Sequence, residues 1–220
     1  MTYSVVSDET VRRWHNQLAP IYDRRWSRYV ARTLGFLRSW ISIPQESSVL
    51  DVGCGTGEFE RIILSEHSEQ RMIGLDVSDQ MLAIARQKCS AYPNVRFLSG
   101  SASDLPFSND SFDLVISASA LHYFDKPDAS LAEMRRVVKP SGSVVILDWC
   151  KDYPTCRFLD AFLKMTEAAY RRCYTQTEFH RMLALAGFEI RESRKVWLDP
   201  VWGIMVATVF PSGHAAIASS

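Results

Sequence analysis

Short apolar runs that end in an acid or a small polar residue recur through the middle of the chain. Val49-Leu50-Asp51-Val52 is the first, Met72-Ile73-Gly74-Leu75-Asp76 the second and Val95-Arg96-Phe97-Leu98 the third. Phe112-Asp113-Leu114-Val115-Ile116-Ser117 and Val144-Val145-Ile146-Leu147-Asp148 follow. Near-continuous apolar runs of this length predict strands buried on both faces, as in a parallel sheet covered by helices. Between them, 79–86 has helical composition with Ser78 placed as its N-cap. Lys139-Pro140-Ser141-Gly142 is expected to turn the chain into the fifth strand. An amphipathic helix is expected over about 156–170. Thr175 and Glu178 have the spacing of a capping box, and Gly187 is placed to end the helix they start. Two more strands are expected at 189–196 and 201–210, and the tail 211–220 is expected to fray. Before the sheet, 8–40 reads as helical and aromatic, with Pro20 expected to divide it in two.

The first strand runs straight into Gly53-Cys54-Gly55-Thr56-Gly57, after which a helix begins. Glycines at alternate positions let the backbone turn sharply and bring a ligand close to the main chain. The spacing is one residue shorter than the dinucleotide fingerprint, and the loop has no Gly-Lys-Ser/Thr of a P-loop. Asp51 would repel a pyrophosphate and suits a cationic ligand. The second strand ends in Asp76, near the separation of about 20 residues at which doubly wound folds place an acid on ribose hydroxyls.

The run Asp51-x-Gly53-x-Gly55-x-Gly57 resembles motif I of the class I S-adenosylmethionine-dependent methyltransferases. With the later strand ends in order, about 45–150 resembles the ubiquinone and menaquinone biosynthesis C-methyltransferases. The resemblance implies a Rossmann-like, doubly wound α/β fold. Its mostly parallel seven-stranded sheet would carry an antiparallel C-terminal hairpin and an N-terminal helical lid. A single domain over 1–220 is expected, with the lid at 1–44, the cofactor core at 45–150 and substrate-side helices and hairpin at 151–210. The implied cofactor is S-adenosyl-L-methionine, leaving as S-adenosyl-L-homocysteine. Residues Asp51, Gly53, Cys54, Gly55, Thr56, Gly57, Asp76, Val77 and Ser117 are the expected binders. Tyr22 would close over the methionine end, or else only pack the lid. Where the family usually has Asp-Ala or Asn-Ala to meet adenine, this chain has Ser101-Ala102. Those two are the first candidates there, and Asp104 is the second.

Methyl transfer to a phenol, hydroxyl, amine or ring carbon is helped by a nearby base. His122, just after the fourth strand, is the candidate, with Asp148 at the end of the fifth strand to orient it or the substrate. The alternative is a histidine that packs at the cleft rim and a carboxylate that caps a loop. The expected acceptor is a small hydrophobic or aromatic molecule, since the lid and the segment after the fifth strand are rich in Trp and Phe. A protein that binds the cofactor without transferring methyl is the alternative, and a dinucleotide oxidoreductase is a third.

Composition narrows the partners. Lys+Arg and Asp+Glu are both 25, so no excess charge draws the chain to nucleic acid. Hydrophobic residues make up 47%, a globular balance, yet no apolar run approaches the roughly 20 residues of a membrane span. With no secretory signal pattern at the start, a cytoplasmic monomer or homodimer is expected. The five cysteines are irregularly spaced and expected to be unreactive thiols, with a soft-metal site at Cys150, Cys156 and Cys173 as the alternative; no metal is expected.

Overall fold

The computed structural model describes residues 7–213; residues 1–6 of the lid and 214–220 of the tail lie outside it. Strands β1 (Ser48–Val52), β2 (Arg71–Asp76), β3 (Val95–Ser99), β4 (Phe112–Ala118) and β5 (Val138–Trp149) pair in parallel. β7 (Gly203–Pro211) pairs antiparallel with both β5 and β6 (Phe188–Trp197). The order is β3-β2-β1-β4-β5-β7-β6, the expected seven-stranded sheet with an antiparallel hairpin at one edge.

Side chains alternate across this sheet into two cores, as the pleat requires. Val145 and Leu147 of β5 join the core under α1 (Asp8–Trp40), α2 (Glu58–Glu66), α3 (Asp79–Lys88) and α5 (Pro154–Thr166). Val144 and Ile146 join the core under α4 (Pro127–Val137) and α6 (Gln176–Leu185). Burial on both faces is why these strands carry so few polar residues. The caps act as their spacing predicts. Ser78 accepts from Met81 N at the start of α3, and Thr175 and Glu178 form the full capping box of α6.

Two expectations are corrected. Pro20 does not divide the lid, because α1 is one helix of 33 residues with Pro20 inside it. An interior proline costs about 3 kcal/mol through a lost hydrogen bond and a ring clash. Burial of Val11 and Ala19 on one side of it, and of Tyr29, Leu34 and Leu37 on the other, holds the helix together. The turn expected at 139–142 is instead an irregularity within β5. Phe112 pairs with Val138 but Leu114 pairs with Ser143, so the intervening residues bulge from the ladder.

Candidate active site

The chain runs outward from β1 through β2 to β3, then returns to the other side of β1 with β4. This reversal leaves a crevice at the carboxyl ends of β1 and β4, where open α/β sheets bind ligands. The glycine loop enters it with φ of +84° at Gly53, +53° at Gly55 and +71° at Gly57. Gly53 N and Cys54 N donate to the Leu75 carbonyl at 2.7 and 3.1 Å, which ties the loop to the end of β2. Asp76 completes the tie. Its Oδ2 accepts from Gly55 N at 2.9 Å and its Oδ1 from Ser78 N at 2.8 Å.

A single cavity brings together Tyr22, Asp51, Gly53, Cys54, Gly55, Thr56, Asp76, Val77, Ser101 and Ala102. Five carboxylates line it (Asp8, Asp51, Glu58, Asp76 and Asp125) against one lysine, Lys126. That balance opposes a pyrophosphate and favours a ligand carrying a sulfonium and an ammonium. Asp51 is 3% exposed and its Oδ1 has no hydrogen-bond partner in the protein, so it stands ready for such a cation. The residues therefore fit S-adenosylmethionine: Asp76 for the ribose hydroxyls, the glycine loop for close approach, and Asp51 for positive charge.

The family profile described as "Methyltransferase domain" matches residues 49–142, the span that builds this cavity's glycine loop and strand ends. The chain is 33% identical over 154 residues to a 2-phytyl-1,4-naphtoquinone methyltransferase of Thermosynechococcus vestitus, covering 66% of each chain. It is 38% identical over 109 residues to a demethylmenaquinone methyltransferase of Bacillus licheniformis, covering 49% of this chain and 47% of that one. The chain belongs to the S-adenosylmethionine-dependent methyltransferases. The matches span 66% and 47% of the length of these two relatives. Among solved structures, it superposes with a TM-score of 0.79 on a methyltransferase crystallised with the Trm112 activator of Haloferax volcanii. There 93% of this chain and 99% of that chain are covered at 21% identity, a likeness of fold.

Helix α1 lines one side of the cavity and is fastened along its length. Ser101 Oγ donates to Asp8, and Ser78 Oγ donates to Asn16 Oδ1 at 2.7 Å. Thr56 Oγ1 donates to Asp23 Oδ1 at 2.7 Å, and Lys88 bridges Asp23 and Glu58 at 2.7 and 3.2 Å. Asp8 and His15 line the cavity but carry no local motif, so sequence alone did not single them out for the site. Their partners lie far away in the chain. Ser101, already bonded to Asp8, faces the cavity, whereas Asp104 is exposed and outside it.

Four of the residues expected at the site from the sequence lie outside the cavity lining. Ser117 does not reach the cavity; it is 1% exposed and its Oγ donates to the Val52 carbonyl at 2.9 Å within the sheet. Ser119, two residues on, lines the cavity instead. His122 and Asp148 also lie outside the cavity lining, each 1% exposed. The His122 ring stacks on Trp149 with centroids 4.3 Å apart and gives its Nδ1 to Asp148 Oδ1. Asp148 further accepts from the backbone nitrogens of His122 and Trp149, at 3.0 and 2.6 Å. The pair thus fastens the 3-10 turn Leu121–Tyr123 to the end of β5, and His15 is the histidine on the cavity wall. Gly57 sits behind the loop and packs on Ala85 rather than lining the cavity. All five cysteines are free and buried. The thiols of Cys156 and Cys173 donate to the carbonyls of Gly203 and Trp149, both at 3.2 Å. Among the described residues no cluster of His, Cys, Asp or Glu is arranged to hold a metal.

Burial, and then repulsion from Asp76, push Asp51 up to about 7. Glu60 is fully buried with both oxygens unpartnered, and burial followed by Asp51 raises it as well. The free protein therefore keeps a proton that the unfolded chain releases above its ordinary carboxyl range. This contribution to stability is present at low pH and is lost as pH rises from the unfolded value through about 7. A cationic ligand reverses the preference, since it favours the ionised acid. Affinity for S-adenosylmethionine is expected to strengthen as pH rises toward 7, with proton release on binding, and Asp51→Asn should flatten the profile. Calorimetry in buffers of different ionisation enthalpy reads the proton directly. Equal slopes for both proteins would remove Asp51 from this role.

Proposed function

We propose that the chain transfers the methyl group of S-adenosylmethionine to a small, flat, apolar acceptor that carries an oxygen substituent. The observation that carries this reading is a chain of hydrogen bonds at the wall of the cavity. Trp149 Nε1 donates to the Tyr29 oxygen at 2.6 Å, and an indole N–H can only donate. Tyr29 Oη and Ser119 Oγ, 2.6 Å apart, share a further hydrogen bond in which either hydroxyl can donate. When Tyr29 donates, the Ser119 hydrogen has no protein acceptor among the described bonds and is free for a ligand. Thr33, 1% exposed and on the same cavity wall, lies beside Tyr29, and its hydroxyl makes no hydrogen bond of good geometry among the described residues. Two hydroxyls able to turn to a ligand, beside apolar and aromatic side chains (Leu34, Val30 and Tyr123), complement a ring bearing a hydroxyl or carbonyl oxygen. The quinone rings in the names of both curated relatives have this chemistry.

When bound, S-adenosylmethionine supplies an activated methyl carbon on a positively charged sulfur. The chain's part is to hold the acceptor oxygen through Ser119 and Thr33 and to cover the site with α1, keeping water away from the reacting atoms. Burial pushes the Tyr29 phenol well above its usual range, which keeps it protonated as a donor.

Backbone strain supports a functional role for Ser119. Its φ of +57° is unusual for a residue other than glycine and costs about 1 kcal/mol or more. Ser119→Gly relieves that strain while removing the hydroxyl. The variant should keep its Tm within a few degrees of the parent yet transfer methyl about tenfold more slowly. Radiolabelled methyl transfer to hydroxylated naphthalenes and benzenes, with the parent hydrocarbons and simple amines beside them, tests the proposal. Transfer to the hydroxylated rings is expected. Tight cofactor binding with transfer to no acceptor would identify a binding protein instead, and preference for a nicotinamide dinucleotide would overturn the reading.

A further inference from the structure

Helix α5 turns one side to the core, burying Cys156 and Asp160. Its other side exposes Phe158 at 71%, Phe162 at 51% and Met165 at 86%. Positions four and three residues apart form one stripe of a helix, so these side chains make a continuous apolar ridge. The rings of Phe158 and Phe162 stack with centroids 6.5 Å apart, and solvent, rather than protein, meets their outer sides. Trp197 and Val201, at the β6–β7 turn, are also about half exposed, and Trp197 packs on Tyr153 at the start of α5.

The exposed charges on this helix are of one sign. Arg157 and Lys164 are exposed on α5, whereas its acid, Asp160, is buried. Both Asp160 oxygens are occupied: Lys151 and Lys164 reach Oδ2 at 2.8 Å, and Cys173 N and Tyr170 Oη reach Oδ1. The solvent side of α5 thus offers aromatic and sulfur-bearing side chains flanked by cations, with no exposed acid. No described helix is long and apolar enough to cross a membrane.

We propose that this face of α5 docks the protein on an anionic membrane surface. Phe158, Phe162 and Met165 enter the boundary between headgroups and acyl chains, and Arg157 and Lys164 meet lipid phosphates, the arrangement of an interfacial amphipathic helix. Pairing with a second copy through the same stripe is disfavoured, because a two-fold contact sets these cations against one another with no acid to receive them. The contact is independent of methyl transfer. Because α5 follows the carboxyl end of β5, it would bring the edge of the sheet that holds the cavity near the lipid.

The test is flotation of the full chain with vesicles of phosphatidylcholine alone or mixed with phosphatidylglycerol. The expected result is binding to the mixed vesicles that weakens with added salt. Phe158→Ser, Phe162→Ser and Met165→Ser combined should reduce it at least about tenfold, with Tm and cofactor affinity unchanged. Arg157→Glu should weaken binding to anionic vesicles only. Absence of binding to the mixed vesicles, or equal binding by the triple variant, would overturn the proposal. So would a dimer in sedimentation that the triple variant converts to monomer, since the face would then belong to a second copy.

Discussion

Alanine in place of Gly57 is expected to lower folding stability by about 3 kcal/mol or more, and Tm by about 10 °C. Two physical effects add here. Gly57 has φ of +71°, where an L side chain costs about 1–2 kcal/mol. The new methyl would also lie 2.7 Å from Ala85 Cβ, 3.0 Å from Ala85 Cα and 3.2 Å from the Phe97 ring. Ala85 is fully buried in α3 and Phe97 is pinned on β3, so neither can withdraw without shifting its element. Overpacking of this kind costs about 1–3 kcal/mol. Gly55 supplies an internal control. It shares the left-handed backbone, at φ +53°, but a methyl there would meet nothing within 4 Å. Gly55→Ala should therefore show only the backbone cost. Urea denaturation of the two variants separates crowding from conformation, and equal losses would refute the crowding account.

The second large effect concerns Asp76. Asp76→Ala is expected to weaken binding of S-adenosylhomocysteine by about 100-fold, roughly 3 kcal/mol. An ionised carboxylate has about four acceptor sites. Gly55 N and Ser78 N occupy one on each oxygen, which leaves each oxygen able to accept one ribose hydroxyl. Burial raises the Asp76 pKa; His15 and the backbone donors oppose that rise and favour the anion. Asp76→Asn keeps one acceptor oxygen and should lose about tenfold, between the parent and the alanine variant. Because Asp76 also holds Gly55, calorimetry should be paired with a melting curve. A folded Asp76→Ala protein with undiminished affinity would show that the diol lies elsewhere.

The parts of this molecule that were legible in the sequence are those set by neighbours along the chain. β1 and β5 are buried on both faces, so they read as apolar runs, and the acids that end β1 and β2 stand out against them. Alternate glycines with left-handed φ announce a bare loop because few other residues accept that backbone. Ser78, Thr175 and Gly187 mark helix ends through contacts no more than a few residues long. Local rules failed where distant packing outweighed them. Pro20 breaks helices in isolation, yet buried residues on both sides of it carry α1 through.

The polar groups of the site divide along the same line. His122 has the right residue type at the right edge of the sheet, but Trp149 and Asp148, 27 and 26 residues later in the chain, take its face and its Nδ1. A difference of two positions sends Ser117 into the sheet and Ser119 into the cavity, because the backbone changes direction after β4. Asp8 and His15 reach the site from the first turns of α1, and no pattern near them reveals their partners at Ser101 and Tyr123. Cofactor class follows from short-range chemistry, a glycine loop flanked by acids, and was readable from residues 49–76. Which hydroxyls and rings face the acceptor depends on where α1 settles across the sheet. That position is set by side chains 120 or more residues apart, such as Tyr29 with Trp149 and Trp40 with Thr208.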